Sequence, residues 1–205
     1  MRGSSGHRMA RQSKMKIINV KIKGVTSLLQ QRFNETAEAS GSTRRVLVDR
    51  GTPREEAEKV CYRDKDGKFY FPGAAIGRLL REAGAGHKLK GSRRSARFVV
   101  PAAVLVMDDT IRICNGDGQP AKDFEVDSRP VVIPSTKGRV MRHRPRFDQW
   151  SASFTVRINE TILPIDFVQR LLTEGGEQIG IGDFRPEKGG PFGTFNVVEW
   201  SELKK

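Results

Sequence analysis

The sequence predicts an α+β domain, an antiparallel sheet packed by helices and interrupted by basic loops. Three observations carry this expectation. Ile18, Val20 and Ile22 alternate with Asn19, Lys21 and Lys23, the period-2 pattern of a strand with one buried face. Ala152, Phe154, Val156 and Ile158 alternate in the same way against Ser153, Thr155 and Arg157. Two further runs have helical spacing: Ala75, Ile76, Leu79, Leu80 and Ala83, then Ile165, Val168, Leu171 and Leu172. Each helix has one apolar stripe and each strand one apolar face, so burying both requires the helices to pack on the sheet.

Residues 1–14 carry Arg2, Arg8, Arg11 and Lys14 with no acid and no apolar stretch, which excludes a signal peptide and predicts a disordered basic arm. A single domain is expected over 15–205, with insertion loops around 32–60 and 87–97. Its first strand turns Lys21 and Lys23 outward, either as a solvated face or as the working surface of a sheet that tracks nucleic acid. Periodicity is then lost, and the polar run NETAEASGSTRR reads as a loop that offers Arg44 and Arg45 to a ligand. Thr52, Pro53 and Glu55 supply an N-cap, a first-turn proline and a capping-box acid for a short helix through Val60. In CYRDKDGKFYF, Lys65, Asp66 and Gly67 form the turn of a hairpin.

Pro72 and Gly73 end the next strand and open the first long helix, whose outer face carries Arg78 and Arg81. The small residues at its start leave its amides open to a phosphate, with ordinary helix packing as the alternative. After the apolar run FVVPAAVLVM, TIRIC leads into a turn at Asn115, Gly116, Asp117 and Gly118, followed by extended chain to Ile133. Adjacent Asp108 and Asp109 would point to opposite faces of a strand, so they read as turn and edge residues rather than metal ligands. The last helix opens at Pro164 and is expected to stop at Gly175 or Gly176, before a final strand from Phe195 to Trp200.

Charge bounds the function. The 205 residues include 37 Lys+Arg against 24 Asp+Glu, a formal net charge of +13 and a pI near 10.2, which predicts a polyanionic partner. No run approaches the ~20 apolar residues of a membrane span, and no amphipathic stretch suits a membrane surface. Cys61 and Cys114 lie far apart with no metal-ligand spacing, so no zinc site or disulfide framework is expected. They read as reduced thiols of a cytoplasmic protein that needs no cofactor and no metal.

The cations concentrate in three places. Residues 87–97 hold Lys88, Lys90, Arg93, Arg94 and Arg97 with no acid, a self-repelling loop unless an anion neutralises it. Residues 134–147 hold Lys137, Arg139, Arg142, Arg144 and Arg146; alternation sets the last three on one face and His143 on the other, provided the strand continues through Pro145. Phe147 and Trp150 follow, either as stacking surfaces for bases or as core. The segment IGIGDFRPEKGGPFGTF is the third. Gly180, Gly182, Gly189, Gly190 and Gly193 let the backbone approach a polyanion while Arg185 and Lys188 meet its phosphates. Phe184, Phe192 and Phe195 can anchor this loop to the core.

Two of these segments carry a resemblance. YFPGAAIGRLLREAG resembles the motif of RAMP-superfamily backbone subunits of CRISPR effectors, in which a strand ends in Pro-Gly and small residues open a helix. IGIGDFRPEKGGPFGTF resembles the glycine-rich loop that precedes the last strand in the same superfamily. The chain is also similar to small phage and mobile-element proteins with VMRHRPRF-like and GIGDFRP-like segments. The RAMP resemblance implies an RNA-recognition-motif-like, or ferredoxin-like, antiparallel sheet. It also implies a role in antiviral defence, homo-oligomerisation along a guide strand, other effector subunits as partners, and proximity of the glycine-rich loop to the Pro72-Gly73 helix start.

Catalysis is not expected. Catalytic RAMP subunits place an Asp between the first strand and the Pro-Gly motif, and Asp49 matches no such pattern. His87 and His143 are the candidates for a general base in a metal-independent ribonuclease, each beside cations and without a partner visible in sequence. The expected function is therefore binding of single-stranded nucleic acid, RNA before DNA, through its phosphates as a repeating ribonucleoprotein subunit. A ribonuclease of the RAMP type and a phage single-stranded-DNA-binding or assembly protein are the alternatives.

Overall fold

The computed structural model describes residues 14–33, 51–89, 91, 93–132 and 137–203. The expected basic arm up to residue 13, the loop over 34–50 with Arg44 and Arg45, and Lys90 lie outside the described residues. Strand β1 (Met15–Gly24) behaves as its alternation predicts, burying Ile18, Val20 and Ile22 while Lys21 and Lys23 stay exposed. It is flanked on both sides by antiparallel partners, β8 (Ser151–Asn159) and β9 (Phe195–Glu202). The short β4 (Val104–Val106) pairs with the outer side of β8, giving the order β4-β8-β1-β9. Helices α2 (Gly73–Ala83) and α4 (Ile165–Gln178) bury Ile76, Leu79 and Leu80, and Val168, Leu171 and Leu172, in one cluster with the inward residues of β1 and β8.

A second layer of strands grows from the same core. β2 (Leu28–Leu29), β7 (Arg139–Phe147) and β6 (Glu125–Val132) form a three-stranded antiparallel sheet in the order β2-β7-β6. Helix α1 (Pro53–Lys59) packs on it, and its start is the reciprocal cap expected of Thr52 and Glu55: Glu55 Oε2 accepts the Thr52 amide at 2.7 Å. β3 (Tyr70–Pro72) pairs with β5 (Thr110–Arg112), and the four-residue α3 (Val100–Ala103) leads into β4. Phe69 and Phe147 meet edge to face at 5.0 Å between ring centres, and Trp150 packs between Phe71 and Phe195. These contacts join the second layer to the first without a break in the buried cluster.

One boundary differs from expectation. Helix α4 runs through Gly175 and Gly176 to Gln178 instead of stopping there. A methyl group on Gly175 would lie 2.4 Å from Leu79 Cδ2, so the residue is glycine to let α4 press against α2. The actual terminator is Gly180, at φ +71°, whose amide donates back to the Gly175 carbonyl at 2.9 Å.

Candidate nucleic-acid interface

The glycine-rich loop, from Ile179 to Thr194, is bonded mostly to itself and to the chain around β2. The amides of Gly180, Gly189, Gly190 and Gly193 donate to the carbonyls of Gly175, Pro186, Arg185 and Ser27 at 2.9, 2.9, 3.0 and 2.8 Å. Ile181 donates to Gly193 and Asp183 to Leu29, both at 2.9 Å. A methyl group at Gly193 would sit 1.8 Å from the Ile181 carbonyl oxygen, and one at Gly182 would sit 2.3 Å from that of Leu29. These glycines allow backbone to meet backbone within the protein, and four of their amides are already committed to it.

Its arginine and Glu187 are committed as well. Arg185 donates through Nη1 to the Gly182 carbonyl at 2.8 Å and reaches Glu187 at 2.7 Å. Arg78 of α2 meets the same Glu187 oxygen at 2.6 Å, which sets the loop against the middle of α2. Burial tends to raise the Glu187 carboxyl pKa, but hydrogen bonds from Arg78 and Arg185 outweigh it and hold the group below the usual glutamate value. Lys188 is exposed. Phe192 and Phe195 are buried as anchors, whereas Phe184 is half-buried.

The β6–β7 hairpin sorts its arginines by environment. β7 stays extended through Pro145, which meets the condition for Arg142, Arg144 and Arg146 to share a face. Arg144 is nonetheless only 8% exposed; it faces Asp127 in register and its Nε lies 2.7 Å from Asp183 Oδ2 in the glycine-rich loop. Arg146 is paired with Asp148 at 2.8 Å. Arg142 is exposed opposite Arg129, which is held by Asp127 and lies over the Phe192 ring at 4.6 Å. Lys137 and Arg139 are exposed near the outer end of the hairpin. Phe147 and Trp150, one reading of which was base stacking, are both core; Trp150 donates its indole N–H to the Thr26 carbonyl at 2.8 Å.

His143 points to the other side, where Nδ1 meets Ser128 Oγ at 2.7 Å and Nε2 lies 3.9 Å from Glu56 of α1. His87 also has a partner: its Nε2 is 2.6 Å from Glu174 Oε2, and its ring stands edge-on to Phe167. Neither partner was visible from sequence, because Glu56 and Glu174 are each 87 residues from their histidine. Among the described residues no group of three or more His, Cys, Asp or Glu side chains is placed to hold a metal ion.

Lys21 and Lys23 lie on the open face of the main sheet beside Ser153, Glu199 and Asn196. The strand positions sharing that face, including Asn19, Thr155, Arg157 and Ser201, hold no aromatic side chain, so stacking of the kind RNA-binding sheets use has no platform there. The loop 87–97 packs on the C-terminal end of α2, where Ser95 Oγ donates to the Gly84 carbonyl at 2.9 Å. β4, which follows that loop, begins at Val104 opposite Ile158, and Ile158 pairs with Lys16 at the start of β1. Lys88, Arg93 and Arg94 are exposed there, and Arg97 is 3.2 Å from Glu82. Phe98, the first residue of the apolar run FVVPAAVLVM, is 74% exposed. The candidate residues thus form two groups, the hairpin with the glycine-rich loop and the 87–97 loop, each tied to α2 one helical turn apart, through Arg78–Glu187 and Glu82–Arg97.

No protein-family model and no curated protein sequence matches the chain. Among solved structures, the fold is similar to a chain in the cryo-EM structure of the type III-B Cmr-beta bound to cognate target RNA. That match has 14% identity and a TM-score of 0.52, covering 93% of this chain and 61% of the other. The crystal structure of Cmr6 from Pyrococcus furiosus matches at 10% identity over 90% of this chain and 99% of its own, with a TM-score of 0.43. The chain therefore spans about three fifths of the length of the Cmr-beta chain it matches. At 14% identity this likeness is one of fold. Among the described residues no helix is long and apolar enough to cross a membrane.

Proposed function

We propose that the protein holds single-stranded nucleic acid, RNA in preference to DNA, through its phosphates as a repeating subunit of a ribonucleoprotein. The observation that carries this reading is the acid-free stretch from Ala83 to Met107, on which Lys88, Arg93 and Arg94 are exposed. Such a concentration of like charge is relieved when counterions or phosphates neutralise it. The strand order supports the choice of RNA. In sequence order, β1, β4, β8 and β9 with α2 and α4 form β-α-β-β-α-β, and the spatial order β4-β8-β1-β9 is consistent with an RNA-recognition-motif-like, ferredoxin-like sheet. The Cmr-beta neighbour was solved with target RNA, and the glycine-rich loop and Pro-Gly motif resemble those of subunits that line up along a guide.

The hairpin cations Lys137, Arg139 and Arg142 and the sheet lysines Lys21 and Lys23 extend the contact, whereas Arg144 and Arg185 support the fold beneath it. The test is a titration of labelled oligouridine and oligothymidine at several salt concentrations. Binding that weakens steeply with salt, with more copies bound on longer strands, is expected; salt-insensitive or absent binding would reject the reading.

A second reading rests on the His87–Glu174 contact at 2.6 Å, since a carboxylate that orients an imidazole is the arrangement of a general base. It predicts cleavage of labelled RNA without added metal, lost in His87→Ala. Cleavage that survives that substitution would move the chemistry away from His87.

A further inference from the structure

We infer that Phe98 is a base-stacking platform for the single strand, a role that rests on the proposed binding of nucleic acid. Phe98 is the most exposed of the large apolar side chains described, at 74%. Its backbone is not loose. It ends the 3-10 turn Ala96–Phe98, where Ser95 Oγ donates to the Gly84 carbonyl at 2.9 Å, the Ala96 amide donates to His87 at 2.8 Å and the Phe98 amide donates to Ser95 at 3.3 Å.

The turn buries its smallest residue and exposes its largest. Ala96 is fully buried and Val100 nearly so, while the phenyl ring between them faces out. Gly84 makes this possible, because a methyl group there would stand 2.9 Å from the Arg97 amide nitrogen and push the turn off the end of α2. The ring is therefore displayed on a fixed support directly after Arg93, Arg94 and Arg97, with Lys88 on the same loop.

An aromatic held among cations is what sequence-tolerant single-strand binding requires. The cations take the phosphates, and the ring stacks on a base of any identity because every base has a π-face. The open sheet face, which has no aromatic, leaves this function to the loop.

The test uses the whole chain with two variants and labelled oligouridine. Phe98→Ala should lower affinity roughly tenfold while leaving the dependence of log affinity on log salt unchanged, because stacking releases no counterion. Phe98→Trp should keep the affinity, and its emission should be quenched on binding relative to the parent protein, whose own tryptophans serve as the control. Parent-like affinity in Phe98→Ala with no added quenching in Phe98→Trp would overturn the inference alone and mark Phe98 as a contact for a protein partner. Failure of the parent chain to bind oligouridine would overturn the function on which the inference rests.

Discussion

Two loops that both contact α2 present the same residue types to opposite effect. The glycine-rich loop combines glycines, an arginine and a lysine, yet four of its glycine amides donate to the protein's own carbonyls and Arg185 is held by Gly182 and Glu187. The loop before β4 has fewer glycines and exposes Lys88, Arg93 and Arg94, with exposed Phe98 directly after it. A glycine-rich basic segment signals an anion site only if its donors lack internal acceptors, and here the loop's composition serves close backbone packing.

The largest effect should come from Gly193→Val. The residue has φ +73° and its added carbon would collide with the Ile181 carbonyl, so a loss of about 4 kcal/mol or more is expected, read as lost soluble yield and lost cooperative melting. A variant that melts like the parent but no longer binds RNA would break the comparison and make the loop a ligand cradle. Arg144→Met should rank next. It leaves Asp183 without its partner in a mostly buried contact, and since Asp183 is 31% exposed the loss is about 1–2 kcal/mol by chemical denaturation, with the salt dependence of RNA binding unchanged. A changed salt slope would place Arg144 on the nucleic acid.

Charge reversal at the hairpin, Arg139→Glu with Arg142→Glu, should flatten the salt slope by about 1.4 units, at roughly 0.7 per phosphate lost. The melting curve should not move. The smallest effect concerns Glu187. Its pKa is lowered in the fold, so its contribution to stability is present above the ordinary value of 4.5 and fades as pH falls through the lowered one. Glu187→Gln should reduce the loss of stability between neutral and acidic pH; an unchanged acid limb would show that the Arg78–Glu187–Arg185 contact does not tie the loop down.

Much of the fold was legible because its signals are local. The capping residues Thr52, Pro53 and Glu55 satisfy amides within one turn, and the alternations of β1 and β8 need only one buried face. The course of α4 through Gly175 and Gly176 was not legible, because the low helix propensity of glycine is overridden by contact with Leu79 and Phe195, far away in sequence. The site was legible as charge but not as geometry. Period 2 puts Arg142, Arg144 and Arg146 on one face, yet only the packing of the glycine-rich loop against β7 supplies Asp183 to Arg144. Phe98 was hidden for a related reason: it begins an apolar run, and the burial of Ala96 and Val100 on either side decides that its ring points out. The run of arginines before it was the one available signal.

On the function proposed, the exposed loop before β4, and not the glycine-rich loop, meets the phosphates. Oligouridine affinity measured against salt for the parent and for the combined variant Lys88→Glu, Arg93→Glu, Arg94→Glu tests it most directly. Loss of three phosphate contacts should flatten the log-log slope by about 2 units with an unchanged melting curve. A variant with the parent's slope and affinity would contradict the claim.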